Sequence, residues 1–96
     1  MLLCKMIESF KHRGLKRLYE HGDESKVNQF QLSKIKRILT ALDAATRPED
    51  LDLPGWRFHR LHGELKGHYS LWVSVNWRII FKFGDGPQDV DLVDYH

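Results

Sequence analysis

The sequence has almost no cysteine and no long apolar run. Its 96 residues include one cysteine, Cys4, and three prolines. A single cysteine excludes an internal disulfide and is typical of proteins from a reducing compartment. The apolar start covers only residues 1–3, which is too short for a signal peptide, and no run reaches the roughly 20 residues of a membrane-spanning helix. We therefore expect a cytoplasmic protein that does not associate with a membrane.

The motifs of two common enzyme classes are missing as well. The chain has no Gly-x-Ser-x-Gly sequence, the nucleophile motif of many serine hydrolases. His59 and His62 stand three residues apart, and on a strand an odd spacing puts two side chains on opposite faces. No cysteine or acidic residue has a spacing that would complete a zinc site with them. We expect no metal and no other cofactor.

What the chain does contain is enough to form one small domain over residues 1–96. Hydrophobic residues make up 42% of it and charged residues 29%, a balance that favours a folded core over disorder. Residues 1–48 carry ten Lys and Arg against five Asp and Glu, and residues 57–82 contain Glu64 as their only acid. A basic surface on a small protein suits a polyanion, although an ordinary solvated surface explains it equally well.

The first half of the chain predicts helices. Apolar spacing favours a helix over residues 11–21, which Gly22 would end. A longer helix is indicated by a series of apolar residues at helical spacing: Leu32, Ile35, Ile38, Leu39 and Leu42. Thr46 and Glu49 have the spacing of a capping box, which predicts a short helix over residues 48–51.

From residue 56 onward the hydrophobic period changes to two, which predicts strands. Apolar residues at positions 77, 79, 81 and 83 alternate with Arg78, Ile80 and Lys82, so one face of this strand would lie in the core and the other would be partly polar. Other strands are predicted over residues 6–10, 56–61, 69–75 and 90–95. Helices followed by strands favour an α+β fold with an antiparallel sheet.

Side chains that can cleave RNA are concentrated in the second half of the chain. Cleavage without a metal needs a base for the ribose 2′-hydroxyl, an acid for the leaving 5′-oxygen and cations for the phosphoryl oxygens. Suitable types lie between residues 57 and 96: Arg57, His59, Arg60, His62, Lys66, His68, Asn76, Arg78, Tyr95 and His96. Strand parity places Arg78 and Tyr95 away from the core. Sheet faces that are partly polar are common, so this alternation is explained equally well by a surface with no catalytic role.

The three tryptophans are interpreted as packing residues. Trp56, Trp72 and Trp77 would fill the core before they would stack on nucleobases. Trp72 is the exception in one respect, because it falls on the polar parity of its strand.

Several short motifs occur along the chain in a fixed order. They are Ile-Glu-Ser-Phe-Lys-His-Arg-Gly-Leu-Lys at residues 7–16, Leu-Asp-Ala-Ala at 42–45, Glu-Asp-Leu at 49–51, Pro-Gly-Trp-Arg at 54–57, Phe-His-Arg-Leu-His-Gly-Glu-Leu-Lys-Gly at 58–67, Val-Ser-Val-Asn-Trp-Arg-Ile at 73–79 and Asp-Tyr-His at 94–96. Together they resemble HigB toxins of the RelE/ParE superfamily, and the resemblance extends from residue 6 to residue 96. The motifs are specific in combination, although each alone is weak.

The resemblance implies a fold, an activity and a partner. The fold would be RelE-like, with N-terminal helices packed on a small antiparallel sheet. The activity would be that of a ribosome-dependent endoribonuclease that cuts mRNA in the A site. The partner would be an antitoxin of the helix-turn-helix class, HigA-like, which forms a hetero-oligomer with the toxin. The family's active-site positions fall on His59, Asn76, Arg78, Asp94, Tyr95 and His96.

Each candidate residue receives a role on this basis. His59 and His62 are candidates for proton transfer or phosphate contact, and Arg78 is the candidate phosphate clamp. Asn76 and Asp94 would orient the site, and Tyr95 and His96 would contact the substrate or help to transfer protons. The order of acid and base stays open. Candidates for contacts with RNA or the ribosome are the basic residues Lys34, Arg37, Arg57, Arg60, Lys66 and Lys82.

The chain departs from the family pattern at two positions of the central block. His62 stands where the family commonly has the Lys of Leu-Lys-Gly, and a histidine is charged only conditionally near pH 7. Lys66 is the second candidate for that cation. Arg60 replaces a proline.

Two other functions remain as alternatives: a ParE-like gyrase inhibitor, against which the set of His59, Arg78 and Tyr95 argues, and a non-catalytic module that binds RNA or protein.

Overall fold

The computed structural model describes residues 7–94 and has the α+β architecture that the sequence predicts. Within these residues two helices precede a four-stranded antiparallel sheet whose strands lie in chain order. The elements are α1 (Arg13–His21), α2 (Gln29–Ala44), a 3-10 helix (Pro48–Leu51), β1 (His59–Arg60), a second 3-10 helix (Gly63–Leu65), β2 (His68–Ser74), β3 (Trp77–Phe83) and β4 (Pro87–Asp94). Neither α-helix described within residues 7–94 has the length and apolar character of a membrane-spanning helix. Cys4 lies outside the described residues.

Both α-helices begin after a residue whose side chain accepts a backbone hydrogen bond. The Nδ1 atom of His12 accepts a bond from the Leu15 amide at 3.1 Å, so α1 starts two residues later than predicted. The side chain of Asn28 accepts a bond from the Phe30 amide at 2.8 Å, and α2 therefore starts before the first apolar residue of its pattern. Gly22 ends α1 at a φ of +68°, a left-handed conformation that favours glycine.

The short helix at residues 48–51 forms, but its cap differs from the prediction. Asp50, not Glu49, accepts hydrogen bonds from the Thr46 amide at 2.9 Å and from the Thr46 hydroxyl at 3.2 Å. The reason is that Arg47, not Thr46, precedes the first helical residue, which moves the third helical position to Asp50. The bond from the Thr46 amide is the largest of the influences that lower the pKa of Asp50. Glu49 is left to pair with a side chain from β1.

The sheet differs from the prediction mainly at its first strand. Of residues 56–61, only 59 and 60 belong to β1. Arg57 has a φ of +50°, and this left-handed residue interrupts the extended backbone. Within residues 7–10, Phe10 forms a single parallel bridge with Val90 where a strand was expected. β4 begins at Pro87, three residues earlier than predicted.

The core lies between the helices and one face of the sheet. The sheet contributes Leu71, Val73, Ile79, Phe81 and Val90, which cluster with Leu15, Leu18, Ile35, Ile38, Leu39 and Leu42 of the helices. Burial of such a side chain contributes about 1.5–3 kcal/mol to folding. Ile80 points to the opposite face of β3, yet it is only 5% exposed. The polar character predicted for that face is therefore confined to the residues on either side of Ile80.

Candidate functional site

One face of the sheet carries residues that were predicted to act on RNA. In an antiparallel sheet, residues that pair directly point to the same face. His59 pairs with Ser70, which in turn pairs with Ile80. Two residues along these strands, Trp72 pairs with Arg78. We call the side of the sheet that bears these five residues the site face. It is opposite to the face that packs against the helices.

His59 and Arg78 lie apart on the site face. Strand separations of about 4.8 Å and a rise of about 3.4 Å per residue place their Cα atoms about 12 Å from each other. His59 is exposed. Arg78 is half-buried, with its Nε atom fully buried, and it lies between Trp72 of β2 and Val93 of β4. A substrate that contacts both side chains must therefore lie across β2.

Asn76 and Asp94 are brought to the end of the sheet that bears Arg78. Asn76 lies in the turn between β2 and β3, two residues before Arg78. Asp94 is exposed at the end of β4, opposite the first residue of β3. Tyr95 and His96, which follow Asp94 in the sequence, lie outside the described residues.

The turn that carries Asn76 has an unusual backbone. Val75 adopts a φ of +50°, which is rare for a β-branched residue. The indole Nε1 of Trp72 donates a hydrogen bond to the Val75 carbonyl at 2.9 Å. Trp72 thus helps to hold the turn in the conformation that presents Asn76.

His62 and Lys66, the two candidates for the family's lysine, lie on the same loop. Residues 61–67 join β1 to β2, and both side chains line a cavity of about 220 Å³ together with His68. The side chains of His62 and Lys66 are exposed. In contrast, the Nδ1 atom of His68 lies 3.1 Å from the Leu65 carbonyl oxygen, so its ring anchors the loop. The loop can therefore present a cation from either His62 or Lys66.

The six cations predicted to bind RNA fall into two groups. Arg60 forms an ion pair with Glu49 at 2.7 Å, and Lys82 contacts Asp89 at 4.0 Å. Arg60 pairs with Tyr69 in the sheet and so points to the face opposite to that of His59. No ion pair with an acidic side chain of residues 7–94 is formed by the other four, Lys34, Arg37, Arg57 and Lys66. The charge of these four is available to an external anion.

Two of the four cations contact Trp72. The Nζ atom of Lys34 lies 4.2 Å from the centroid of the indole ring, and the Cζ atom of Arg57 lies 4.6 Å from it. Lys34 also donates a hydrogen bond to the Gly55 carbonyl at 3.2 Å. Partial burial lowers the pKa of Lys34, and repulsion by Arg37 and Arg57 lowers it further. The interpretation of Trp72 as a packing residue missed its contacts with these cations. The signal in the sequence was that Trp72 alternates with the core residues of its strand and so falls on the polar face.

A larger cavity, of about 320 Å³, lies between α1 and α2. Its lining includes Tyr19, Lys36 and Asp43, and none of the predicted site residues. The Tyr19 hydroxyl donates a hydrogen bond to Asp43, and burial together with this bond raises the pKa of Tyr19. Among residues 7–94, no three His, Cys, Asp or Glu side chains come together in a way that could hold a metal ion. The predicted site residues within residues 7–94 therefore lie away from this cavity.

The chain is similar to known toxins along nearly its whole length. It is 40% identical over 92 residues to Endoribonuclease HigB of Proteus vulgaris, and this alignment covers 95% of this chain and 100% of that protein. It is 36% identical over 93 residues to Toxin HigB-1 of Vibrio cholerae, with 95% and 98% covered. The fold is similar to the crystal structure of a YafQ mutant from E. coli, with a TM-score of 0.61, 22% identity and coverage of 95% and 93%.

A family model describes the same region. The model for the RelE-like toxin of the type II toxin–antitoxin system HigB matches residues 8–96. Apart from Ile7, this range contains the motifs on which the resemblance was based, and the resemblance is thereby confirmed. The chain belongs to the HigB-like family of RelE-like toxins of type II toxin–antitoxin systems.

Proposed function

We propose that this toxin is an endoribonuclease that inhibits translation by cutting mRNA on the ribosome. The observation that carries the proposal is the site face, which holds a histidine and an arginine on either side of β2. These are the residue types that proton transfer and phosphate binding require. The name of the Proteus vulgaris relative, an endoribonuclease, supports the same chemistry for this chain.

The proposed reaction moves two protons and uses no bound metal. A base removes the proton of a ribose 2′-hydroxyl, whose oxygen attacks the adjacent phosphorus, and an acid protonates the 5′-oxygen as its bond to phosphorus breaks. The products are a 2′,3′-cyclic phosphate and a 5′-hydroxyl. His59 and His62 are the proposed groups for proton transfer or phosphate contact. Arg78 binds the phosphoryl oxygens through paired donors.

The remaining predicted residues have supporting roles in this proposal. Asn76 and Asp94 orient the site at the end of the sheet where Arg78 lies, and Tyr95 and His96 contact the RNA or help to transfer protons. The RNA backbone or the ribosome is bound by Lys34, Arg37, Arg57 and Lys66. Arg60 and Lys82 contribute less, because Arg60 is already paired with Glu49 and Lys82 contacts Asp89.

The toxin family implies an antitoxin partner. We propose a HigA-like antitoxin of the helix-turn-helix class that is encoded beside the toxin and forms a hetero-oligomer with it in the cytoplasm. Copurification of the products of the two adjacent genes tests this partnership. A neighbouring gene product that neither binds the toxin nor relieves its toxicity would contradict it.

Primer extension on mRNA tests the proposed activity. Expression of the chain should arrest growth. In a purified reaction that contains ribosomes, the toxin should cut an mRNA within codons when that mRNA carries a ribosome-binding site. The same mRNA without the site should stay intact. Equal cutting of naked and ribosome-bound RNA would refute ribosome dependence. Growth arrest without any RNA cleavage would favour a gyrase inhibitor or a non-catalytic binding module.

The unusual His62 predicts a distinctive pH dependence. The positive charge of a histidine is conditional near neutral pH, whereas a lysine keeps its charge. If His62 supplies the phosphate-binding cation, cleavage should weaken towards alkaline pH, and His62→Lys should restore activity there. The measurement is the single-turnover cleavage rate from pH 5.5 to 9. An unchanged profile in His62→Lys would assign the cation to Lys66, which lines the same cavity.

A further inference from the structure

Trp72 has two cations against its ring that no acidic side chain of residues 7–94 neutralises. Lys34 approaches the ring to 4.2 Å and Arg57 to 4.6 Å, from different parts of the chain. Each cation is attracted electrostatically by the negative face of the indole ring, and this attraction partly offsets the repulsion between the two charges. Trp72 also pairs directly with Arg78. The two cations therefore contact the residue that lies next to the proposed phosphate clamp in the sheet.

The backbone around Trp72 is held in a strained form. Arg57 and Val75 both have a φ of +50°. The Trp72 amide donates a hydrogen bond to the Trp56 carbonyl at 2.7 Å, and its indole Nε1 donates to the Val75 carbonyl at 2.9 Å. Residues held in such sparsely populated conformations cluster at binding and active sites. Trp72 thus lies between two residues with a strained backbone, the cation Arg57 and Val75 of the β2–β3 turn.

The charge of Lys34 points to an anion as the missing partner. Its ammonium group is partly buried, and neighbouring arginines repel it, both of which lower its pKa. An anion bound beside Lys34 and Arg57 would relieve that repulsion. Because cations occupy the surroundings of the Trp72 ring, the ring is poorly placed to stack on a nucleobase.

We propose that Lys34 and Arg57, positioned by Trp72, form a subsite for an RNA backbone phosphate next to the phosphate that Arg78 binds. This inference rests on the proposed function and adds a second contact to it. Arginine suits a phosphodiester through its paired donors, and lysine adds a compact charge. The phosphate belongs either to the mRNA or to ribosomal RNA, and the chemistry of recognition is the same.

Equilibrium binding to bacterial ribosomes tests the subsite. The ribosomes carry an mRNA whose A-site nucleotides bear 2′-O-methyl groups, so that no attacking hydroxyl is available. The double variant Lys34→Gln, Arg57→Gln should raise Kd by about tenfold or more, as expected for lost charged contacts. It should also reduce the slope of log K against log salt by about one.

Lys36→Gln is the matched control. It removes one positive charge from α2, as Lys34→Gln does within the double variant, but Lys36 is already paired with Glu24, so Kd and the salt slope should not change. Vacant ribosomes identify the source of the phosphate. An equal loss of affinity with and without mRNA assigns the phosphate to ribosomal RNA, and a loss confined to programmed ribosomes assigns it to mRNA.

Variants of Trp72 test its positioning role. Trp72→Phe keeps an aromatic face for the cations and should retain most of the affinity. Trp72→Leu removes that face and should reproduce the weaker binding and lower salt slope of the double variant, whereas a merely structural role would leave the slope unchanged. If Trp72→Leu does not fold, the comparison of the double variant with Lys36→Gln still tests whether the subsite exists.

The outcomes separate this inference from the proposed function. If the unaltered chain cleaves mRNA but the double variant keeps the original Kd and salt slope, the subsite is wrong and the function stands. If the unaltered chain binds programmed ribosomes without cleaving, the function is wrong, and the binding comparison still decides the subsite. If it does not bind ribosomes at all, both are wrong.

Discussion

Arg78→Ala is expected to remain folded and to lose at least about a hundredfold in cleavage rate. The guanidinium would stabilise negative charge that develops on the phosphoryl oxygens, and removal of one such donor typically has an effect of this size. Arg78 is half-buried between Trp72 and Val93, so the substitution should also cost about 1 kcal/mol of stability through lost packing. In a domain of this size that corresponds to a decrease in Tm of roughly 4–8 °C. Single-turnover cleavage and thermal denaturation measure the two effects separately.

Two further variants sharpen this test. Arg78→Lys should recover only part of the rate, because lysine keeps the charge and loses the paired-donor geometry. Arg17→Ala is the control for the loss of an arginine, since Arg17 lies on α1 in an ion pair with Asp23, and its rate should match that of the unaltered chain. A fully active Arg78→Ala would remove the phosphate clamp from the proposal. An unfolded Arg78→Ala would assign the residue a structural role.

His59→Ala is expected to lower the cleavage rate by about a hundredfold to ten-thousandfold, the usual contribution of a positioned acid or base. His59 is exposed on β1, so Tm should change little and affinity for ribosomes should be retained. The pH profile supplies a second readout. Removal of a proton-transfer group should abolish the limb of the profile that this group produces.

His21→Ala is the matched control, because His21 is an exposed histidine at the end of α1. It should leave both the rate and the pH profile unchanged. A His59→Ala variant that cleaves at the original rate would place proton transfer on other residues. If His59→Ala still arrests growth as strongly as the unaltered chain, the non-catalytic binding module becomes the better interpretation.

Much of the fold could be predicted because it depends on neighbours along the chain. The apolar spacing of α2 and the alternation in β3 each follow from a local period, and both elements lie where the pattern placed them. The errors occur where a single side chain or backbone angle decides an end. His12 moves the start of α1, Asp50 replaces Glu49 in the cap, and the left-handed Arg57 shortens β1. Such local choices leave no periodic signal.

The candidate site could be predicted only in part. The motif resemblance supplied His59, Asn76, Arg78 and Asp94, and strand parity correctly placed Arg78 away from the core. Parity could not reveal that Trp72 pairs with Arg78, because pairing depends on the register between strands. The register also contains a shift near the end of β2, which no feature of the sequence indicated.

By itself, the sequence determined the helices, the antiparallel strands and the family, since these follow from local periodicity and from short motifs in order. Only the tertiary structure decided which cations are already paired with an acid and which are available to an external anion. Arg60 is next to His59 in the sequence, yet it points to the opposite face and is neutralised by Glu49. Lys34 is remote from the catalytic motifs, yet it reaches the ring of Trp72. The physical reason is that ion pairs and cation–π contacts depend on which surfaces the packing brings together, and a local pattern carries no information about distant partners.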